Sequence, residues 1–335
     1  MKTIVIGLNW LGDIIMSTPA IVAAAETSEI HVVTRPHLSD VYKLLPGNIT
    51  VHPIATNAAF HEVIRALKPL RRLGADQAIA LPDSWRAAAL AKACGTGKSI
   101  GFANQLRSLL LKQAIAKPVD FKLMHESDLH FMLIKKAGLA SKKPALPIYR
   151  PDSQMRRDVF EKFGLNENEN YMVIAPGAAF GSAKRWPPEK FAELVRLISD
   201  YYQMPIVLTA GSSETDLTRY IRDEARGRLI DTAGQTSITE LACLLSQATA
   251  LIANDSGTMH LGALCGTPTV VPVGPTDMMR TGPLNTRFAS VSTDICPQAP
   301  CRQRVCPRQD QICMQNISAL AIFVELQELL ETDHD

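Results

Sequence analysis

The chain opens MKTIVIGLNWLGDIIMSTPAIVAAA, residues 1–25, and the reading of this stretch decides the fold. A lysine, an apolar run and a cluster of alanines give it the outline of a secretory leader. Asn9, Gly12 and Asp13 interrupt the run where such a leader needs continuous apolar residues. The stretch reads instead as a buried strand, Thr3–Gly7, a glycine-bearing loop and a helix, Ile14–Ala25. The rhythm continues with strands Ile30–Thr34, Val51–Ile54 and Gln77–Leu81, separated by helices at Leu38–Leu45 and around Glu62–Leu73. Short apolar strands bounded by helices specify a parallel, doubly wound sheet.

Around Lys142–Asp152 the composition turns proline-rich and charged, which marks a linker. The rhythm then restarts. Strands are expected at Tyr171–Ala175, Ile206–Ala210, Leu229–Asp231, Ala250–Ala253 and Thr269–Val273. Helices are expected at Pro188–Asp200, Thr215–Ala225, Ile238–Ser246 and Met259–Cys265. A last apolar-periodic segment, Ile317–Leu330, has the length to pack back on the first domain. The expected architecture is therefore α/β, two Rossmann-like domains (1–150 and 151–335) facing across a cleft. In such folds ligands gather at the strand C-termini.

The length of 335 residues exceeds one ordinary core, and 46% hydrophobic against 20% charged residues argues against disorder. No uninterrupted apolar run approaches the ~20 residues that span a bilayer. The formal charge of +2 conceals an asymmetry. Residues 1–150 carry 19 basic and 10 acidic side chains, a net +9; residues 151–335 carry 16 and 23, a net −7. The first half is suited to an anionic partner. Seven cysteines in a chain this long do not form a disulfide framework, so a cytoplasmic setting is expected.

Three loops carry chemistry. Gly7-Leu8-Asn9-Trp10-Leu11-Gly12-Asp13 follows the first strand, and it is not the GxGxxG dinucleotide fingerprint. Asp13 either caps the following helix or takes a proton from a substrate hydroxyl. In PGAAFGSAKRWP, residues 176–187, Lys184 and Arg185 hang between a strand end and a proline-started helix, a position suited to phosphate. Solvated surface cations are the alternative, and Trp186 is expected in the core. Asn254-Asp255-Ser256-Gly257-Thr258-Met259-His260 is a third strand–helix junction, whose Ser256, Gly257 and Thr258 amides can hold a diphosphate. Gly274-Pro275-Thr276-Asp277 adds a turn at the same edge. Cys296, Cys301, Cys306 and Cys313 lie within 18 residues, but their spacing matches neither zinc-ligand pairs nor iron–sulfur runs, so free thiols or an occasional disulfide are expected ahead of a metal.

Taken together, GLNWLGD, PGAAFGSAKRWP, NDSGTMHLGALCGTP and the cysteine-rich CPQAPCRQRVCP resemble the ADP-heptose:lipopolysaccharide heptosyltransferases, glycosyltransferases of the GT-B fold, and among them the heptosyltransferase II type. The resemblance implies an inverting, metal-independent transfer of L-glycero-D-manno-heptose from ADP-heptose to the first inner-core heptose of lipopolysaccharide. No cofactor and no nucleic-acid partner are implied. Asp13 matches the general base and Lys184 the phosphate-binding lysine. Asp255 matches a donor-sugar contact, with Ser256, Gly257, Thr258 and His260 around the diphosphate. Glu214 falls near the ribose ligand and Thr236 near an adenine contact. Ala179 and Phe180 depart from relatives of the heptosyltransferase I type, which carry hydroxyl side chains there. For the anionic acceptor the candidates are Arg65, Lys68, Arg71, Arg72 and Arg107, against the alternative of a solvated helix face. Leu106–Lys112, apolar and basic, either packs in the core or touches the inner leaflet of the inner membrane as a peripheral contact. The rival readings are a heptosyltransferase of type I or III, a nucleotide-sugar epimerase or hydrolase on the same fold, and a metal-binding module built on the late cysteines.

Overall fold

The computed structural model describes residues 1–331 other than Asn285. The chain divides into two compact units, Met1–Pro147 and Ile148–Asp335, the last four residues of the second lying outside the described part.

Unit 1 is built on six strands: β1 (Lys2–Ile6), β2 (Glu29–Thr34), β3 (Ile49–Pro53), β4 (Gln77–Ala80), β5 (Lys98–Phe102) and β6 (Gln113–Ile115). They form one parallel sheet in the order β3-β2-β1-β4-β5-β6. The four residues of β4 are all buried, as expected of strands covered by helices on both faces. Helix Leu11–Ala25 begins three residues earlier than the sequence suggested, after an extended Trp10. Residues 36–44 and 68–73 wind as 3₁₀ rather than α-helix. Each has proline in its opening turn, which removes an amide donor and favours short, tight winding. Strands β5 and β6 were not anticipated; the first is interrupted by Gly101 and the second is three residues at the sheet edge.

Unit 2 repeats the plan with β7 (Met172–Ala175), β8 (Ile206–Leu208), β9 (Leu229–Asp231), β10 (Ala250–Ala253), β11 (Thr269–Val273) and β12 (Phe288–Ser292), all parallel, in the order β12-β11-β10-β7-β8-β9. β12 is also an addition, a half-exposed edge strand of weak apolar pattern. Helix Ala319–Glu331 places Ala319, Ile322, Phe323 and Leu326 in this unit's own core, beside Trp186 and Phe191. Leu320 and Val324 on the same helix are exposed. Ser237 and Glu240 close a capping box on helix Ile238–Gln247.

Among the described residues no helix is long and apolar enough to cross a membrane. Within unit 1, His130 is buried and its Nδ1 has no hydrogen-bond partner. Burial, with smaller contributions from His125 and Lys117, pushes its pKa from 6.5 down to about 4. A folded pKa below the unfolded one means the neutral ring's stabilisation is complete above pH 6.5 and lost as pH falls toward 4. Chemical denaturation across that window is expected to show a steeper loss in the native chain than in His130→Leu.

Candidate functional site

In each sheet the first strand sits at the centre and the winding direction reverses beside it, between β1 and β4 in unit 1 and between β7 and β10 in unit 2. Such a reversal opens a crevice at the strand C-termini. In unit 2 the two sequence motifs with the strongest phosphate chemistry flank that crevice. Residues 176–187 leave β7 and residues 254–260 leave β10.

Asn254, fully buried, joins the two loops: its Oδ1 accepts from the Trp186 amide at 3.0 Å and its Nδ2 donates to the Pro176 carbonyl at 2.7 Å. Trp186 is core, as expected, with its indole N–H donating to the Ile317 carbonyl. Beside this brace the Lys184 Nζ lies 2.7 Å from Asp255 Oδ2, with the two side chains 14% and 4% exposed. So enclosed a pair is costly to leave unsolvated, and it holds both groups at the crevice. Asp255 is followed by helix Gly257–Cys265, whose first amides point back over the strand end. Ser256 is its N-cap residue but makes no capping bond, and its Oγ is buried without a partner. His260 is buried in the first turn.

Glu214, after β8, is drawn into the first loop. Its Oε1 accepts from the Ala178 amide at 2.9 Å and from Arg185 Nη2 at 2.8 Å. Gly177 lets the carboxylate approach closely, since a Cβ there would stand 2.4 Å from Glu214 Oε2 and displace it. Thr236 lies half-buried in the loop between β9 and helix Ile238–Gln247. Thr276, after β11, carries a second buried hydroxyl with no partner. Lys184, Glu214, Thr236, Asp255–His260 and Thr276 thus follow five consecutive strands of the sheet and share one edge. Nothing local to the sequence marks Asn254 or Thr276; an unpaired or bridging polar group shows only when the strands are set side by side.

In unit 1 Asp13 is the third residue of helix Leu11–Ala25, half-buried, while Trp10 occupies the N-cap position. A carboxylate in the first turn is favoured by the helix dipole. It leads from β1, on the crevice edge.

The acceptor candidates are placed otherwise. Helix Phe60–Leu67 starts after β3 and the chain from it descends to β4, where the Asp76 amide donates to the Lys2 carbonyl at the sheet's opposite edge. Arg65 is in the last turn of that helix, and Lys68, Arg71 and Arg72 follow in the 3₁₀ segment leading to that far edge. Arg71 Nε donates to the Ala93 carbonyl, at the end of helix Trp85–Ala93. Arg107 is a core cation, 3% exposed. It pairs with Asp83 and donates to the Phe102 and Pro82 carbonyls, both at 2.9 Å, so its charge fastens loops and is not presented to a ligand. Cations on the strand-end side of unit 1 include Arg35, directly after β2, Lys117, paired with Asp83, and Arg86, bonded to the Thr56 and Ala58 carbonyls. Helix direction, which decides the edge, is invisible to charge counting.

Among the described residues no three His, Cys, Asp or Glu side chains are grouped to hold a metal ion. The four late cysteines line one small cavity together with Ala183 and Pro275.

Residues 63–312, most of the chain, match the family model of glycosyltransferase family 9 (heptosyltransferase). The chain belongs to glycosyltransferase family 9. Within this family it is 29% identical over 299 residues to a lipopolysaccharide heptosyltransferase 2 of Salmonella typhimurium, covering 85% of this chain and 86% of the relative. A lipooligosaccharide heptosyltransferase 2 of Haemophilus ducreyi is 27% identical over 307 residues, with the same coverage of both chains. The solved structure of ADP-heptose heptosyltransferase II of E. coli superposes with a TM-score of 0.84 at 21% identity, covering 100% of both chains. That likeness carries the fold: the family-9 chain is a glycosyltransferase on two Rossmann-like domains of the GT-B type.

Proposed function

We propose that this family-9 glycosyltransferase moves L-glycero-D-manno-heptose from ADP-heptose to the first inner-core heptose of lipopolysaccharide, with inversion and without a metal. The observation that carries the reading is the convergence of five strand-end loops of unit 2 on one edge, with the Lys184–Asp255 pair and the unpartnered Ser256 hydroxyl at the β7–β10 crevice. Such a set suits a nucleoside diphosphate-sugar. The diphosphate takes the helix amides after Ser256, His260 and the Lys184 ammonium, Asp255 meets the sugar side, and Glu214 and Thr236 reach toward ribose and adenine. Glu214 Oε1 is occupied by Ala178 and Arg185, which leaves Oε2 as the oxygen offered to a ribose hydroxyl.

Asp13 takes the proton of the acceptor hydroxyl as its oxygen attacks the anomeric carbon. The bond from that carbon to the diphosphate oxygen breaks, and ADP leaves with its charge neutralised by Lys184 and the amides. Inversion needs base and leaving group on opposite sides of the sugar, and the chain carries them on separate units. The acceptor's anionic groups are assigned to unit 1, the basic half of the chain, and the exposed Leu106 and Leu109 offer an apolar contact to the membrane around a lipid acceptor. The heptosyltransferase 2 names of the relatives support the acceptor assignment.

The test is ADP release with lipopolysaccharide acceptors bearing zero, one or two heptoses. Release is expected with the one-heptose acceptor. Preference for the heptose-free acceptor would move the chain to the type I specificity, and release without any acceptor would favour a hydrolase.

A further inference from the structure

The loop after β7 is not self-supporting. Two of its peptide units, 180–181 and 182–183, are held by the irregular segment 293–311, which carries three of the four late cysteines. Arg304 Nε donates to the Phe180 carbonyl at 2.6 Å, the Ala183 amide donates to the Arg304 carbonyl at 3.1 Å, and Gln311 Nε2 donates to the Ser182 carbonyl at 3.2 Å. Gly181 lies between these bonds, and a Cβ there would stand 2.1 Å from the Arg304 carbonyl oxygen, so the approach requires glycine. The segment is itself tied to the turn after β11, through the Arg302 amide on the Pro275 carbonyl at 2.8 Å. Its thiols pack behind Ala183.

The same contacts reach Lys184 through one ring. The Arg304 guanidinium lies 5.3 Å and the Lys184 ammonium 5.1 Å from the centroid of Phe180. Both distances are within the range of cation–π attraction. Phe180 therefore serves as a shared platform: Arg304 fixes its backbone and ring, and the ring in turn helps to fix where the ammonium stands. Here the sequence carries no hydroxyl side chain at 179 or 180, and an aromatic ring stands in the loop instead.

We propose that Arg304 is a positioning residue for the donor diphosphate, clamping the 180–183 loop so that Phe180 holds Lys184 in place. The inference rests on the donor-site reading above. It ascribes to the cysteine-rich segment a purpose apart from metal binding, as the buttress of the phosphate loop.

A double-mutant cycle on ADP affinity, measured by titration calorimetry on the full chain, tests it. Arg304→Ala is expected to weaken ADP by about tenfold, the loss of one charge-assisted contact. Lys184→Met combined with Asp255→Asn removes the charge pair and is expected to weaken ADP as well. Adding Arg304→Ala to that background should then cost nothing more, because the group being positioned is gone. A full additive loss would overturn the proposal, showing that Arg304 acts on the diphosphate itself. So would unchanged affinity in Arg304→Ala alone. If the Lys184→Met, Asp255→Asn chain binds ADP as tightly as the native one, the donor-site reading fails and the positioning falls with it. Arg304→Gln, which keeps the aliphatic stem, replaces Arg304→Ala should the latter lower the melting temperature. A merely structural role would lower that temperature without the coupling to Lys184.

Discussion

Asp13→Ala is expected to abolish heptosyl transfer while ADP binding is retained. General-base catalysis contributes about 10²–10⁴-fold, and without it the acceptor hydroxyl must attack while still protonated. The carboxylate belongs to unit 1, whereas every group assigned to ADP belongs to unit 2, so the substitution leaves the nucleotide's contacts intact. Measuring ADP release alongside ADP affinity separates the two effects. Asp13→Asn is the sharper variant, since it keeps the shape and the helix position while removing the proton acceptor. Retained turnover in Asp13→Asn would remove the base role and leave the residue as a favourable charge in the first turn of its helix.

Lys184→Ala is expected to act twice. Loss of a preorganised charge at the leaving diphosphate costs about 10²–10³ in kcat. It also strands Asp255, a carboxylate only 4% exposed, and breaking such a pair from one side destabilises a fold by about 3–5 kcal/mol. The two effects separate in a second variant. Lys184→Met with Asp255→Asn leaves no buried charge behind, so stability should recover largely while activity should not. Denaturant midpoints report the first and turnover the second. Recovery of turnover in the double variant would show that Lys184 served only to satisfy Asp255.

The fold was largely legible. Short apolar runs such as Ala250–Ala253, fully buried here, have no alternative in a chain of this rhythm. The edge strands Gln113–Ile115 and Phe288–Ser292 were not legible, because neither has a fully buried residue and both lack the apolar signature of the central strands. The candidates Lys184, Glu214, Asp255 and Ser256 were legible because glycine and proline mark strand–helix junctions, the places where ligands of such folds gather. The position of the basic residues of unit 1 was not legible. Arg65, Lys68, Arg71 and Arg72 form a conspicuous run, yet a run says nothing about which end of the sheet it occupies. Arg107 looked like a surface charge in a basic stretch, and instead Asp83 and two carbonyls draw it into the core.

By itself the sequence determined the alternation of strand and helix, the division into a basic and an acidic half, and the three glycine-bearing loops. These are local properties, set by the period of the apolar residues and the backbone freedom of glycine and proline. Only the tertiary structure decided which of the charges meet. Lys184 and Asp255 are 71 residues apart, and Arg304 and Phe180 are 124 apart; each pair exists because parallel strands bring their C-termini to one edge. Two cations of the basic half, Arg107 and Lys117, likewise meet on one carboxylate, Asp83. Electrostatic attraction falls off with distance through space and not along the chain, which is why composition could count the charges and only the fold could pair them.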